Sequence, residues 1–189
     1  MEHNHSHTPE PYFPVESDIR MLLHDLQSKD GVVRKHARET LGRLGRQVVP
    51  ALVQLLSQRN DQMRWEACKT LERVGDPNAG VALAEALMDE SMDVRWVAGE
   101  ALISLEECAL EPLLLVLQRH FDSVLLRDAA HHVFYELRRK YIFGDEIESV
   151  FDALRGTMPT FRVGINAMLA LNHLRKQNSI VLRKKELHH

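Results

Sequence analysis

Apolar residues return at intervals of three and four along most of this chain, and the arrangement itself returns every 30 to 35 residues. The segments VVRKHARETLGRLG, MRWEACKTLERVG, VRWVAGEALISLE, LRDAAHHVFYELR and FRVGINAMLALNHL align on Arg34, Arg64, Arg95, Arg127 and Arg162, at steps of 30, 31, 32 and 35 residues. The residue before each arginine is apolar (Val33, Met63, Val94, Leu126, Phe161). So are the residues three after it (Ala37, Ala67, Ala98, Ala130, Ile165) and seven after it (Leu41, Leu71, Leu102, Phe134, Leu169). A fourth column, ten after, holds Leu44, Val74, Leu105, Leu137 and one polar departure, Asn172. Offsets of −1, +3, +7 and +10 lie on one side of a 3.6-residue helix, so each segment predicts an amphipathic helix with one buried stripe. Four residues before the arginine stand Asp30, Asn60, Ser91 and Ser123, whose side chains accept from the free N–H groups of a first helical turn. The fifth copy has Met158 there, followed by Pro159, a residue favoured in a first turn.

Upstream of each such helix lies a second apolar segment: IRMLLHDL, VPALVQLL, AGVALAEAL, LEPLLLVL and IESVFDAL. Their last leucines Leu26, Leu56, Leu87 and Leu154 stand eight residues before the matching arginine. Leu117 stands ten before, which implies a two-residue insertion near His120 and Phe121. Pro50, Pro77 and Pro112 fall near the starts of these partner helices, and Gly45 and Gly75 close the helices before them. No stretch alternates apolar and polar residues with flanking turn signals, so no sheet is expected. The predicted fold is all-α, a right-handed solenoid of about five helical hairpins over residues 17–176, with repeats at approximately 17–45, 46–76, 77–107, 108–141 and 142–176. Residues 1–16 carry three prolines and no periodicity and read as a disordered lead-in; residues 177–189 read as a tail or cap.

An Asp-rich turn, a Val-Arg pair, alanine three residues on and leucine at the next turn resemble HEAT repeats, in particular the short HEAT-like repeats of phycobilisome lyases. DESMDVRWVAGEAL at 89–102 carries the pattern best, and the resemblance covers roughly 18–176. It implies an armadillo-like stacking unit with a binding surface, and an arginine that ties turns and helices of neighbouring repeats together. Such units serve scaffolds, adaptors, lyase subunits and some enzymes. Deoxyhypusine hydroxylase, an enzyme with related repeats, holds iron through His-Glu pairs; this sequence has no His-Glu dipeptide.

In such a stack the second helices of successive pairs line up as the inner, concave face. With the apolar stripe turned to the core, offsets +1, +5, +8 and +12 point away from it. These are Lys35, Glu39, Gly42 and Arg46 in the first repeat; Trp65, Lys69, Glu72 and Asp76 in the second; Trp96, Glu100, Ile103 and Glu107 in the third; and Asp128, His132, Tyr135 and Arg139 in the fourth. Both tryptophans thus fall in one outward column. Trp65 and Trp96 either centre a partner-binding face, with Lys69, Glu72, Glu100, Ile103, Asp128, His132, Tyr135 and Arg139 around them, or close the seams between repeats. In the fifth repeat the outward columns are the apolar Val163, Ala167, Ala170 and Leu174. Their expected cover is the tail around Ile180, Val181 and Leu182, or a second subunit, which would make a homodimer through the C-terminal repeat.

Composition narrows the function further. A net charge of −3, from 24 Lys+Arg against 27 Asp+Glu, gives no general attraction for nucleic acid or anionic lipid, and the basic runs Arg138–Lys140 and Arg183–Lys185 are offset by the acids of repeat three. No apolar run spans a bilayer, and no basic start with an apolar stretch marks a signal peptide, so a cytoplasmic protein with reduced Cys68 and Cys108 is expected. His3, His5 and His7 are a weak metal candidate, and His188 and His189 add nothing decisive. His131 and His132 are adjacent on a helix and so lack the i,i+4 spacing of a helical metal site. No nucleophile elbow, phosphate loop or dinucleotide motif occurs. The expectation is a non-catalytic scaffold or adaptor with no cofactor, holding another protein on its concave face. The alternative, implied by the resemblance alone, is an accessory subunit of a bilin lyase or another cofactor-maturation complex.

Overall fold

The computed structural model describes residues 16–156, 161–177 and 183–184. The histidine-bearing segment before Glu16, Met158 and Pro159 of the fifth repeat, and Ile180, Val181 and Leu182 of the tail lie outside the described residues. Among the described residues ten α-helices follow one another: α1 Glu16–Asp25, α2 Gly31–Leu44, α3 Val49–Leu55, α4 Asp61–Val74, α5 Gly80–Ala86, α6 Met92–Ser104, α7 Leu110–Arg119, α8 Val124–Lys140, α9 Asp145–Arg155 and α10 Phe161–Gln177. The fold is an all-α solenoid. Among the described residues no helix is long and apolar enough to cross a membrane.

The helices begin where the caps say they should. Asp30 accepts from the Val32 N–H at 2.8 Å, Asn60 from Gln62 at 2.9 Å and Ser123 from Leu126 at 3.3 Å. Ser91 makes no such bond; Asp89 instead accepts from the Ser91 N–H at 2.8 Å. Alternate apolar stripes then meet. Ala37, Leu41, Met63, Ala67, Leu71, Val94, Ala98, Leu102, Leu126, Ala130, Phe134 and Leu137 are buried, as the first four aligned copies require. The second helices α2, α4, α6 and α8 pack on one another more extensively than the first helices do, which makes their layer the inner side of the stack.

The fifth hairpin departs from this order. Its second helix, α10, packs on α7, a first helix, while α9 packs on α8, a second helix. The hairpin is therefore inserted upside down relative to the other four. Gly164 comes so close to the loop after α7 that an added Cβ would sit 2.9 Å from the Phe121 ring, and Arg175 Nε reaches Glu111 at 2.9 Å. Together these contacts run α10 antiparallel to α7.

This corrects the fifth register. Val163, Ala167 and Ala170, expected to face outward, are buried, and Leu174 is half-buried, while Ile165 (47% exposed) and Leu169 (53%), expected in the core, are not. Shifting the alignment by two residues restores the stripe, with Gly164 rather than Arg162 in the arginine column. The structure also adds a two-residue antiparallel ladder, Tyr141–Ile142 (β1) with Arg183–Lys184 (β2), which no alternating pattern announces.

Candidate functional site

Three of the aligned arginines do one job. Arg34 Nη1 donates to the carbonyls of Ser28 (2.7 Å) and Lys29 (3.2 Å), Arg64 Nη1 to Gln58 (2.9 Å) and Arg59 (3.0 Å), and Arg95 Nη1 to Asp89 (2.7 Å) and Glu90 (3.0 Å). Each arginine thereby satisfies carbonyls left open at the end of its own hairpin turn. The first two also reach the next repeat: Arg34 Nε bonds Glu66 Oε1 at 2.8 Å, and Arg64 grips Asp89 with Nε at 2.6 Å and Nη2 at 2.9 Å. Burial pushes the Asp89 pKa up, but hydrogen bonds from Arg64 and the Ser91 N–H and the charges of Arg64 and Arg95 outweigh it. The carboxyl is held below its ordinary value.

Trp65 belongs to the seam between the first two repeats. It is half-buried against the core, and the Arg38 guanidinium lies 5.6 Å over its ring. Arg38 is itself bonded to Glu66, which also accepts from Gln62 at 3.0 Å. A polar cleft of about 360 Å³ opens beside this cluster, between Gly31, Asp61 and Asp93.

Trp96, one repeat on, is different: it is 60% exposed. The position that carries Arg38 in the first repeat carries the buried Cys68 in the second, so no guanidinium covers it from that side. On the other side it stacks on His132, ring centroids 5.0 Å apart and planes at 22°, and His132 Nε2 lies 3.3 Å from Glu100. A cleft of about 250 Å³ runs between α6 and α8 here, lined by Met92, Arg95, Trp96, Leu125, Asp128 and His132 among others. Met92, Leu125 and Asp128 are exposed.

The other residues named from the sequence scatter around this centre. Lys69 and Glu72 pair with each other at 2.7 Å, Ile103 packs partly on the core, Tyr135 is exposed, and Arg139 pairs with Glu136 at 3.2 Å. Arg95, Met92 and Leu125 were missed. The last two sit in the first turn of their helices, where the outward columns chosen above do not reach, and the sequence reading gives Arg95 only the structural role of tying turns and helices of neighbouring repeats together.

His131 and His132 part to opposite neighbours, His131 stacking on Phe151 of α9 with centroids 5.2 Å apart. Burial, and then the nearby Arg155 charge, lowers the His131 pKa. Burial pushes the Cys68 thiol up to about 12, which leaves it protonated and unreactive at neutral pH. Among the described residues no group of three or more His, Cys, Asp or Glu side chains is placed to hold a metal ion.

Residues 19–103 match the family described as HEAT repeats. No curated protein matches the chain. Among solved structures, a crystal structure of an engineered protein is similar over 85% of this chain and 80% of its own, at 17% identity and a TM-score of 0.42.

Proposed function

We propose that this protein is a non-catalytic adaptor that holds a protein partner on the inner layer of second helices, with Trp96 as the anchor. HEAT repeats generally mediate contacts between proteins, which supports the class of function. The observation that carries the site is the 60% exposure of Trp96 at the mouth of the α6–α8 cleft. A large aromatic with an N–H handle, held in place by His132, loses little freedom when a partner covers it, and such side chains dominate interface energies. Trp65 has no such role in this reading, because Arg38 already covers it.

The test compares affinity capture with mass spectrometry for the wild type and for Trp96→Ala. Partners bound through the cleft are lost from the variant while its helical circular dichroism is unchanged. The same set of proteins captured by both would refute the site. A chromoprotein among the lost partners would move the reading to the cofactor-maturation role.

A further inference from the structure

The arginine ladder has an open rung, and it opens into the Trp96 cleft. Arg34 and Arg64 each give their second edge to a carboxylate of the following repeat, Glu66 for one and Asp89 for the other. These acceptors occupy two repeat positions, two residues after the aligned arginine (Glu66) and six before it (Asp89). In the fourth repeat the same positions hold Ala129 and Phe121, neither of which can accept. Phe121 has been turned to pack on Gly164 instead. Arg95 therefore keeps its two turn carbonyls on Nη1, yet among the described residues no carboxylate receives Nε or Nη2. Asp128 lines the same cleft without forming an ion pair with it.

Resting on the adaptor reading, we propose that Arg95 receives the carboxylate of an acidic side chain from the partner, and that an adjoining apolar side chain of the same segment lies against Trp96, Met92 and Leu125. The partner's carboxylate takes the place that Asp89 and Glu66 fill one and two rungs earlier, and a guanidinium fork matches it in two parallel bonds. A volume of about 250 Å³ is below the ~300–1,000 Å³ of small-molecule sites and suits one or two side chains of a peptide. Asp128 opposes this occupant, and that opposition supplies an independent arm of the test.

The probe is a capped pentapeptide Gly-Leu-Glu-Leu-Gly, with its glutamine counterpart as control, titrated to about 5 mM into ¹⁵N-labelled protein. The Trp96 indole N–H and Arg95 Nε–H signals are followed. The glutamate peptide is expected to shift both and to bind about tenfold more tightly than the glutamine peptide. Arg95→Lys, which keeps the charge and loses the fork, narrows the preference for the glutamate peptide several-fold; Asp128→Asn, which disturbs no turn, tightens the glutamate peptide. Equal binding of the two peptides, no shift with either, or indifference to both substitutions overturns the proposal. Partners lost with Trp96→Ala but retained with Arg95→Lys would sink the open rung and leave the adaptor reading standing; partners retained by both would sink the adaptor reading as well.

Discussion

Glu66 is 1% exposed and lies between the guanidinium groups of Arg34 and Arg38, so its charge is balanced only across the seam. Glu66→Gln removes that balance while leaving two cations in place, and a loss of about 3 kcal/mol is expected in urea denaturation. The tryptophans separate on the same scale. Trp65→Ala opens the seam and removes a cation–π contact, for a loss of about 2–3 kcal/mol, whereas Trp96→Ala is expected to cost less than about 1 kcal/mol. Asp89 and His131 set the response to acid. The Asp89 pKa in the fold lies below that of the unfolded chain, about 3.9, so its contribution is present above about pH 4 and is lost as pH falls through the folded value. His131 is also lowered, so the unfolded chain takes up its proton first, and stability held above about pH 6.5 declines as pH falls. Melting temperatures across pH 3–8 should show both steps, with Asp89→Asn removing the lower one and His131→Gln the upper. The outward column shared by Trp65 and Trp96 was legible from the helix period, and the exposure of Trp96 agrees with it. The burial of Trp65 was not, because its cover comes from Arg38 on another helix, and a single-helix projection sees only its own stripe.

The turn that closes each second helix decides where the next helix goes. Eleven residues after the aligned arginine stand Gly45 and Gly75, with φ of 68° and 65°, and in the third repeat Glu106, with φ of 55°. A left-handed residue there ends the helix and sends the chain back to the first-helix layer. The fourth repeat has Arg138 at that position; α8 runs on to Lys140, and the extended residues Tyr141–Ile142, then Phe143 and Gly144, lead into α9 beside it. The inverted hairpin follows from this missing stop. Four registers were readable from sequence because the stop and the arginine recur together. The fifth was misread because Arg162 imitates the arginine, whereas the absence of a stop at Arg138 was the signal that the order would change. Glu106 holds its left-handed conformation against a cost of roughly 1–2 kcal/mol, and its carboxylate accepts the Tyr141 hydroxyl. Burial first, and then this bond, pushes the Tyr141 pKa up to about 12. A double-mutant cycle separates the two effects. In a Tyr141→Phe background Glu106→Gly should stabilise by about 1 kcal/mol, and in the wild type the gain should shrink or reverse because the buried hydroxyl loses its acceptor. Identical gains in both backgrounds would show that the bond carries no weight.

A stack in which each pair touches only its neighbours has no single core, so damage at one end need not reach the other. The inverted pair makes this sharper, since α10 is joined to the rest chiefly through α7 and α9 and meets them over the buried Val163, Ala167, Ala170 and Leu171. Gly164 packs so closely on Phe121 that an added Cβ would sit 2.9 Å from its ring, which leaves no room for a side chain. Gly164→Leu is therefore expected to lift α10 from α7. In hydrogen exchange, amides of α9 and α10 should lose protection by at least about tenfold while those of α2, α4 and α6 keep theirs. The Trp96 cleft, built from α6 and α8, should then bind as before, because α8 retains its contact with α6. Uniform loss of protection from α2 to α10 would instead show that the array unfolds as one unit, with the inverted hairpin holding the whole stack closed rather than terminating it.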